Sequence, residues 1–339
     1  MGRIMAYVFG ERDDIPGFDF MVLETRGGGP GWMSCIHLAL AAARLCKVLM
    51  SRDVILHVNV AGGASVLRKG ILLLIAKSMR ATVIVHLHAA DLEISYQHYM
   101  GPLRALISRV LGAADRIIVL GHAAQNFVVT CLCVPSSHIE LIPNGVPDYA
   151  VDQYAGAGPG LSIVFVGNLL PRKGVMDLMR ALGGLEITKV DWTVTIAGGG
   201  DPTRLIGLAR TLGIQEKVVF TGWLERKNVN ALLASADIFV LPSYYEALPL
   251  VLLEAASHGR AIVSTRVGAI GEYFTDGRDC LLISAGDIDA LGNAIRRMID
   301  EPALRKYLGQ GARCLYESVF TMPGMVRSLE AVYQSCRAG

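Results

Sequence analysis

Charge is scarce in this sequence. Asp, Glu, Lys and Arg supply 18% of the 339 residues, and 32 Lys+Arg against 30 Asp+Glu leave a net charge of +2. That balance excludes the global polycation of a nucleic-acid binder, so no nucleic-acid partner is expected and any basic surface must be local. Long hydrophobic runs are lacking as well, although the mean hydropathy is +0.43. The densest run, Ile71 to Ala76, is bracketed by Lys69 and Lys77, and Gly31 to Leu45 is interrupted by His37 and Arg44. Neither reaches the roughly 20 apolar residues of a membrane-crossing helix. Residues 1–12 lack the apolar core of a secretion signal. No Cys-x-x-Cys occurs among the 7 cysteines, and Cys131 and Cys133 are too close for a usual metal pair. Buried thiols in a reducing cytoplasm are expected, and no metal site. What is plentiful is apolar residues, 52%, and glycine, 37 residues without a Gly-x-y period. This excludes a disordered chain and a collagen, and it suffices for two cores.

Short Val/Ile/Leu-rich runs alternate with longer helical patterns. The expected strands are 20–23, 54–58, 82–86, 116–120 and 138–142, then 162–166, 193–196, 218–221, 238–241, 261–264 and 280–283. Continuous apolar runs of this kind fit parallel strands covered on both faces, and repeated strand–helix units imply an α/β fold with helices flanking the sheet. The series breaks once. The turn cluster Pro143 to Pro147 is followed by a stretch with Gly156, Gly158, Pro159 and Gly160 and no period. Two Rossmann-like, doubly wound domains are therefore expected, at 1–148 and 161–321, joined by a linker at 149–160. A last helix within 322–339 has the length to cross back onto the first domain.

Four stretches carry candidate chemistry. The first is Glu246 to Glu254. A strand ends before it and a helix starts near Pro249, where a missing N–H costs nothing. The free amides at Leu250 and Val251 form a ready anion site. The alternative reading is a first-turn carboxylate and a surface carboxylate. The second is Val166 to Gly174, a strand–loop–helix junction whose adjacent Arg172 and Lys173 suit a diphosphate, by fork and by point charge. It lacks the Walker pattern, and a solvated basic loop is its alternative. The third is His86 to Asp91. His86 and His88 share one side of a strand and His88 lies nearer its carboxyl end, so His86 reads as core and His88 as either functional or structural; His-x-His alone lacks a third metal ligand. The fourth, Arg26 to Gly31, includes Gly28 and Gly29, which let backbone approach a ligand, but it fails as a dinucleotide fingerprint, and a tight strand–helix turn is its alternative. Asp287 and Asp289 read as a helix cap.

Together these residues resemble the retaining glycosyltransferases of family four, which have the GT-B fold of two Rossmann-like domains facing a cleft. The likeness lies in order and spacing: Val166 to Gly174, Phe220 to Trp223, Ala236 to Ser243, Glu246 with Glu254, Val267 to Glu272, and Asp276-Gly277 follow as they do in the family. Ser65 to Gly70 with His86 and His88 is similar to the bacterial polysaccharide-assembly branch, and Asn144 to Val146 looks like the domain-boundary turn. The resemblance implies that Lys173 with Arg172 neutralises the diphosphate of a nucleotide-sugar donor, that Glu246 faces the donor sugar and Glu254 the ribose, and that His88 contacts the sugar near the reacting carbon. Two positions depart from the pattern, Asn168 where Arg is frequent and Ala247 where Gly is frequent. The implied activity is sugar transfer to an acceptor hydroxyl with retention, in exopolysaccharide or lipid-linked glycan assembly, with no cofactor and no obligatory metal. A GT-B nucleotide-sugar epimerase and a non-catalytic nucleotide-sugar binder or scaffold are the alternatives. The segment from Val66 to Arg80 carries Arg68, Lys69, Lys77 and Arg80 and no acid. Such a basic amphipathic segment can lie on an anionic membrane, which makes the cytoplasmic face of the membrane an expected partner; a core helix with solvated cations is the other reading.

Overall fold

Most of the continuous apolar runs form strands, and those at the centre of each sheet are packed from both faces. The computed structural model describes residues 7–8, 10, 15–25, 33–50, 53–88, 90–149, 160–185 and 190–338. Four parallel strands, β1 (Ile55–Val60), β2 (Thr82–Leu87), β3 (Arg116–Val119) and β4 (Ile139–Leu141), lie side by side in sequence order. Helices Met33–Leu49 and Gly63–Ser78 pack on each other through Ala41, Leu45 and Leu72, and Val83, Val85, Ile117 and Val119 fill the core beneath Leu73 and Ala76.

A six-stranded parallel sheet follows, built from β5 (Leu161–Val166), β6 (Trp192–Ala197), β7 (Val218–Gly222), β8 (Ile238–Leu241), β9 (Ala261–Thr265) and β10 (Leu281–Ile283). Its order is β10-β9-β8-β5-β6-β7. The chain winds outward one way from β5 and then, from β8, the other way. Every residue of β5, β8 and β9 is buried, as expected for strands sandwiched between helix layers. The order reverses between β5 and β8, and in open α/β sheets ligands bind outside the carboxyl ends of the strands at such a reversal.

The chain divides into two compact units, residues 1–143 with 323–339, and residues 144–322. The division thus falls at Pro143/Asn144, ahead of the expected linker at 149–160, of which 150–159 lie outside the described residues. The reason is local. Val146 bridges to Thr321, its amide donates to the Phe320 carbonyl at 2.9 Å, and its carbonyl accepts from Tyr316 Oη and from Met322 N. Arg313 grips Asp148 with two bonds of 2.6 and 2.8 Å. The segment after Pro143 is therefore already part of the second unit. The last helix, Met322–Ala338, serves the first unit. Its Tyr333 hydroxyl bonds His57 Nδ1 at 2.7 Å and its ring meets those of Phe18 and Phe20.

Two expectations are corrected. Residues 20–23 form no strand; the Phe20 ring is spent on Tyr333 while Met21 and Val22 are each 53% exposed, so no doubly covered run exists there. The cysteines are free but mostly not buried: Cys280 is, whereas Cys35, Cys133 and Cys314 are exposed on helix surfaces or a turn.

Candidate functional site

The loops that leave β5 and β8 flank the reversal of the second sheet. After β5 the chain makes a single 3-10 turn, Pro171–Lys173, and then Gly174 at φ 67°. A side chain at Gly174 would place its Cβ 2.0 Å from the Pro242 carbonyl oxygen. Only glycine permits this approach, at a φ that L side chains rarely adopt, and it brings the cationic turn against the loop after β8. The Tyr244 amide donates to the Arg172 carbonyl at 2.8 Å, stitching the two loops together.

Lys173 Nζ consequently bonds Glu246 Oε1. The same oxygen accepts from Ser243 Oγ at 2.8 Å. Both side chains of the ion pair are nearly buried. The Glu246 loop is strapped from behind: Thr265 Oγ1 donates to the Ser243 carbonyl, and Gly268, at φ 51°, lies so close that a Cβ would meet the Glu246 carbonyl at 1.9 Å. Asn144 Nδ2 donates to the Leu248 carbonyl at 2.9 Å, while its buried Oδ1 has no partner. Arg172 stands beside Lys173 with its guanidinium carbon 5.6 Å from the centre of the Tyr245 ring.

Helix Leu250–Ser257 begins directly after this loop. Pro249 is its cap residue rather than its first helical residue, and no side chain caps it. The opening amides, at Leu250 and Val251, therefore have no intrahelical acceptor and carry the positive end of the helix dipole. Glu254 is 2% exposed, which removes the reading of a solvated surface carboxylate. Asn168 is exposed on the loop after β5, and that loop is closed by the next one: a Cβ on Gly198 would lie 1.8 Å from the Gly167 carbonyl. The second unit thus gathers Lys173, Arg172, Glu246 and two free amides at one end of one sheet, an arrangement that can hold a di-anion and hydroxyl groups beside it. Asp287 caps its helix through the Ala290 amide at 2.9 Å.

In the first unit, His86 and His88 sit at the end of β2 as the alternation requires. His86 is 1% exposed, its Nδ1 is 3.3 Å from His57 Nε2, and its Nε2 is buried without a partner. His88 is half-buried, with Nε2 2.9 Å from Asn59 Oδ1. Burial, with the neighbouring charges of His57 and Lys69, pushes the His88 imidazole down to about 3, and burial pushes His57 down to about 4. All are neutral at physiological pH. Gly28 and Gly29 lie outside the described residues.

The four cations of 66–80 are placed differently from one another. Lys77 is bonded to Asp115 at 2.8 and 2.9 Å, and Lys69 bonds the Asn59 carbonyl. Arg68 is half-buried, its Nε unpartnered, and Arg80 is exposed. The outer face of the helix is instead apolar. Leu67, Ile71 and Leu74, and on the neighbouring helix Ile36 and Leu40, are each 48% to 54% exposed. Asn59, Ser243, Thr265 and Gly268 were not singled out from sequence; the Ser-x-x-Glu spacing of Ser243 and Glu246 was the one available signal.

Residues 156–314 match the family Glycosyl transferases group 1, and residues 24–148 match Glycosyltransferase Family 4. The chain is 32% identical over 242 residues to a glycogen synthase of Mycobacterium tuberculosis, an alignment covering 70% of this chain and 58% of that protein. It therefore spans less than two thirds of that relative's length. Among solved structures, sucrose-phosphate synthase of Thermosynechococcus elongatus superposes with a TM-score of 0.75 at 20% identity, covering 93% of this chain and 82% of that one. The Anabaena protein HepE in complex with UDP and glucose gives a TM-score of 0.73 at 18% identity, covering 87% and 82%.

Proposed function

This chain belongs to glycosyltransferase family four and has the GT-B fold, and from that premise we propose that it transfers a sugar from a nucleotide diphosphate sugar to an acceptor hydroxyl, with retention at the anomeric carbon. The observation that carries the reading is the Lys173–Glu246–Ser243 cluster at the reversal of the second sheet, directly ahead of the uncapped helix at Leu250. The bond from the anomeric carbon to the diphosphate breaks, and charge develops on the departing oxygen. In this reading Lys173, Arg172 and the amides of Leu250 and Val251 stabilise that charge. The acceptor hydroxyl attacks from the face the diphosphate leaves, and its proton passes to the leaving phosphate oxygen. Glu246 binds donor-sugar hydroxyls, Glu254 the ribose, and the exposed Asn168 amide lies at the edge of the phosphate loop. On the first unit we assign His88 a hydrogen bond to a substrate hydroxyl. Because side-chain cations and amides supply the electrophilic assistance, turnover is expected to persist in EDTA. The test is release of nucleoside diphosphate from UDP-, GDP- and ADP-sugars. Release that requires an acceptor supports transfer; donor binding without any release supports a binder, and interconversion of the sugar without release supports an epimerase.

We further propose a glycan or lipid-linked acceptor presented at an anionic membrane, on the cytoplasmic side. No helix among the described residues is long and apolar enough to cross a membrane. The support is the exposed apolar side chains Leu67, Ile71 and Leu74 on one helix and Ile36 and Leu40 on the helix packed against it, with Arg44 and Arg80 on the same two segments also exposed. Exposed apolar side chains accompanied by exposed cations suit an interface with anionic lipid. Lys69 and Lys77, engaged within the fold, are structural supports of that helix in this reading, and Arg68 flanks its buried side. Leu67→Ser with Ile71→Ser is expected to abolish co-sedimentation with phosphatidylglycerol vesicles at low salt and to leave donor binding intact. Unchanged co-sedimentation would remove the membrane reading.

A further inference from the structure

One face of the first sheet is polar where its neighbours are apolar. His57 and Asn59, two apart on β1, lie on the same side as His86 on β2 and His88 just past its end, and Asn59 is in register with His86. The His88 ring stacks on that of His86, with centres 4.0 Å apart and planes 29° apart, so its plane is fixed. Its Nε2 is fixed too, by Asn59 Oδ1 at 2.9 Å. Asn59 is itself 9% exposed, and its carbonyl is held by Lys69.

We propose that Asn59 is a positioning residue that holds His88 in the Nε2-protonated tautomer and thereby presents Nδ1 as a hydrogen-bond acceptor to a substrate hydroxyl. The inference rests on the role assigned to His88 above and adds which of its atoms acts and what sets it. An amide oxygen has no proton to give, so the shared proton must sit on Nε2. A neutral imidazole then has only a lone pair at Nδ1, and which nitrogen is protonated is decided by the partner of the other. The surroundings keep the ring neutral. Among the described residues, the ionisable groups acting on it from the packed elements are His57 on β1, His86 on β2 and Lys69 on helix Gly63–Ser78, all potential cations. His88 in this state accepts from a hydroxyl and does not donate a proton to the leaving group.

The test uses the full chain with 15N-labelled histidine. In the wild type, His88 is expected to show its proton on Nε2 and no titration from about pH 8 to about pH 5.5. Asn59→Asp places an anion at the same atom, which raises the His88 pKa and makes Nδ1 a donor in acid. Its kcat is expected to fall about fivefold to tenfold near pH 6, the size of one lost hydrogen bond to substrate, and to recover with rising pH. The wild type lacks that limb. Asn59→Ala frees the tautomer and lowers kcat at every pH by a similar factor without adding a limb. A residue that served stability alone would shift the melting temperature and add no pH limb. A proton on Nδ1 in the wild type, or an Asn59→Asp profile parallel to wild type, overturns the proposal. Full turnover of His88→Ala with the stated tautomer confirmed would instead overturn the substrate contact of His88 itself.

Discussion

Lys173 and Glu246 hold each other's charge in a nearly buried setting, so neither can be removed without stranding the other. Removing one partner of such a pair typically costs about 3 kcal/mol or more because a desolvated charge is left unmatched. Lys173→Met is therefore expected to lose both stability and activity, the latter by roughly 10²–10³-fold if its charge serves the departing diphosphate. Adding Glu246→Gln removes the stranded anion and retains an oxygen that can accept from Ser243. The double variant should recover most of the melting temperature and none of the turnover; turnover returning with stability would make Lys173 a purely structural residue. Ser243→Ala is the milder probe. It removes one hydrogen bond to Glu246, worth about 1 kcal/mol, and should raise the donor KM by roughly fivefold.

At the scale of elements, the uncapped helix Leu250–Ser257 can be tested without unfolding it. Proline is tolerated at the first helical position, and Pro249 already has φ −74° and ψ 125°, a conformation that the residue before proline favours. Leu250→Pro thus deletes one amide donor while the helix persists. We expect weaker donor binding by about tenfold with an unchanged circular dichroism spectrum; unaltered affinity would relieve that amide of any role. Strands such as β5, β8 and β9 were legible because burial on both faces forces unbroken apolar runs. Residues 20–23 misled because an apolar run can equally be a segment whose alternate side chains pack on one helix, here through Phe20 on Tyr333. Glu246 and Lys173 were legible as charges beside strand ends, but their pairing was not, since it depends on how closely Gly174 passes Pro242. Asn59 was illegible for a related reason: only the β1–β2 register puts it opposite His86 and within reach of His88.

At the scale of the whole molecule, the buried histidines tie stability to pH. Their folded pKa values lie below the ordinary 6.5, at about 4 for His57 and about 3 for His88, with His86 well below as well. The unfolded chain takes up protons near 6.5 where the folded chain does not. Stability is then full above about 6.5 and declines as pH falls toward the folded values, by up to about 1.4 kcal/mol per pH unit for each histidine. Urea midpoints measured from pH 7 to pH 5 should fall, and hydrogen exchange of β1 and β2 amides should accelerate before that of β5 and β8. A flat midpoint would mean that these rings are solvated. The bond from Tyr333 to His57 carries a further consequence, for biosynthesis. Translation completes residues 144–322 before Tyr333 leaves the ribosome, so the unit that is second in sequence is the first that can be whole. A nascent chain that has emerged as far as Met322 holds every strand of the six-stranded unit, while the four-stranded one still waits for the tyrosine that meets Phe18, Phe20 and His57.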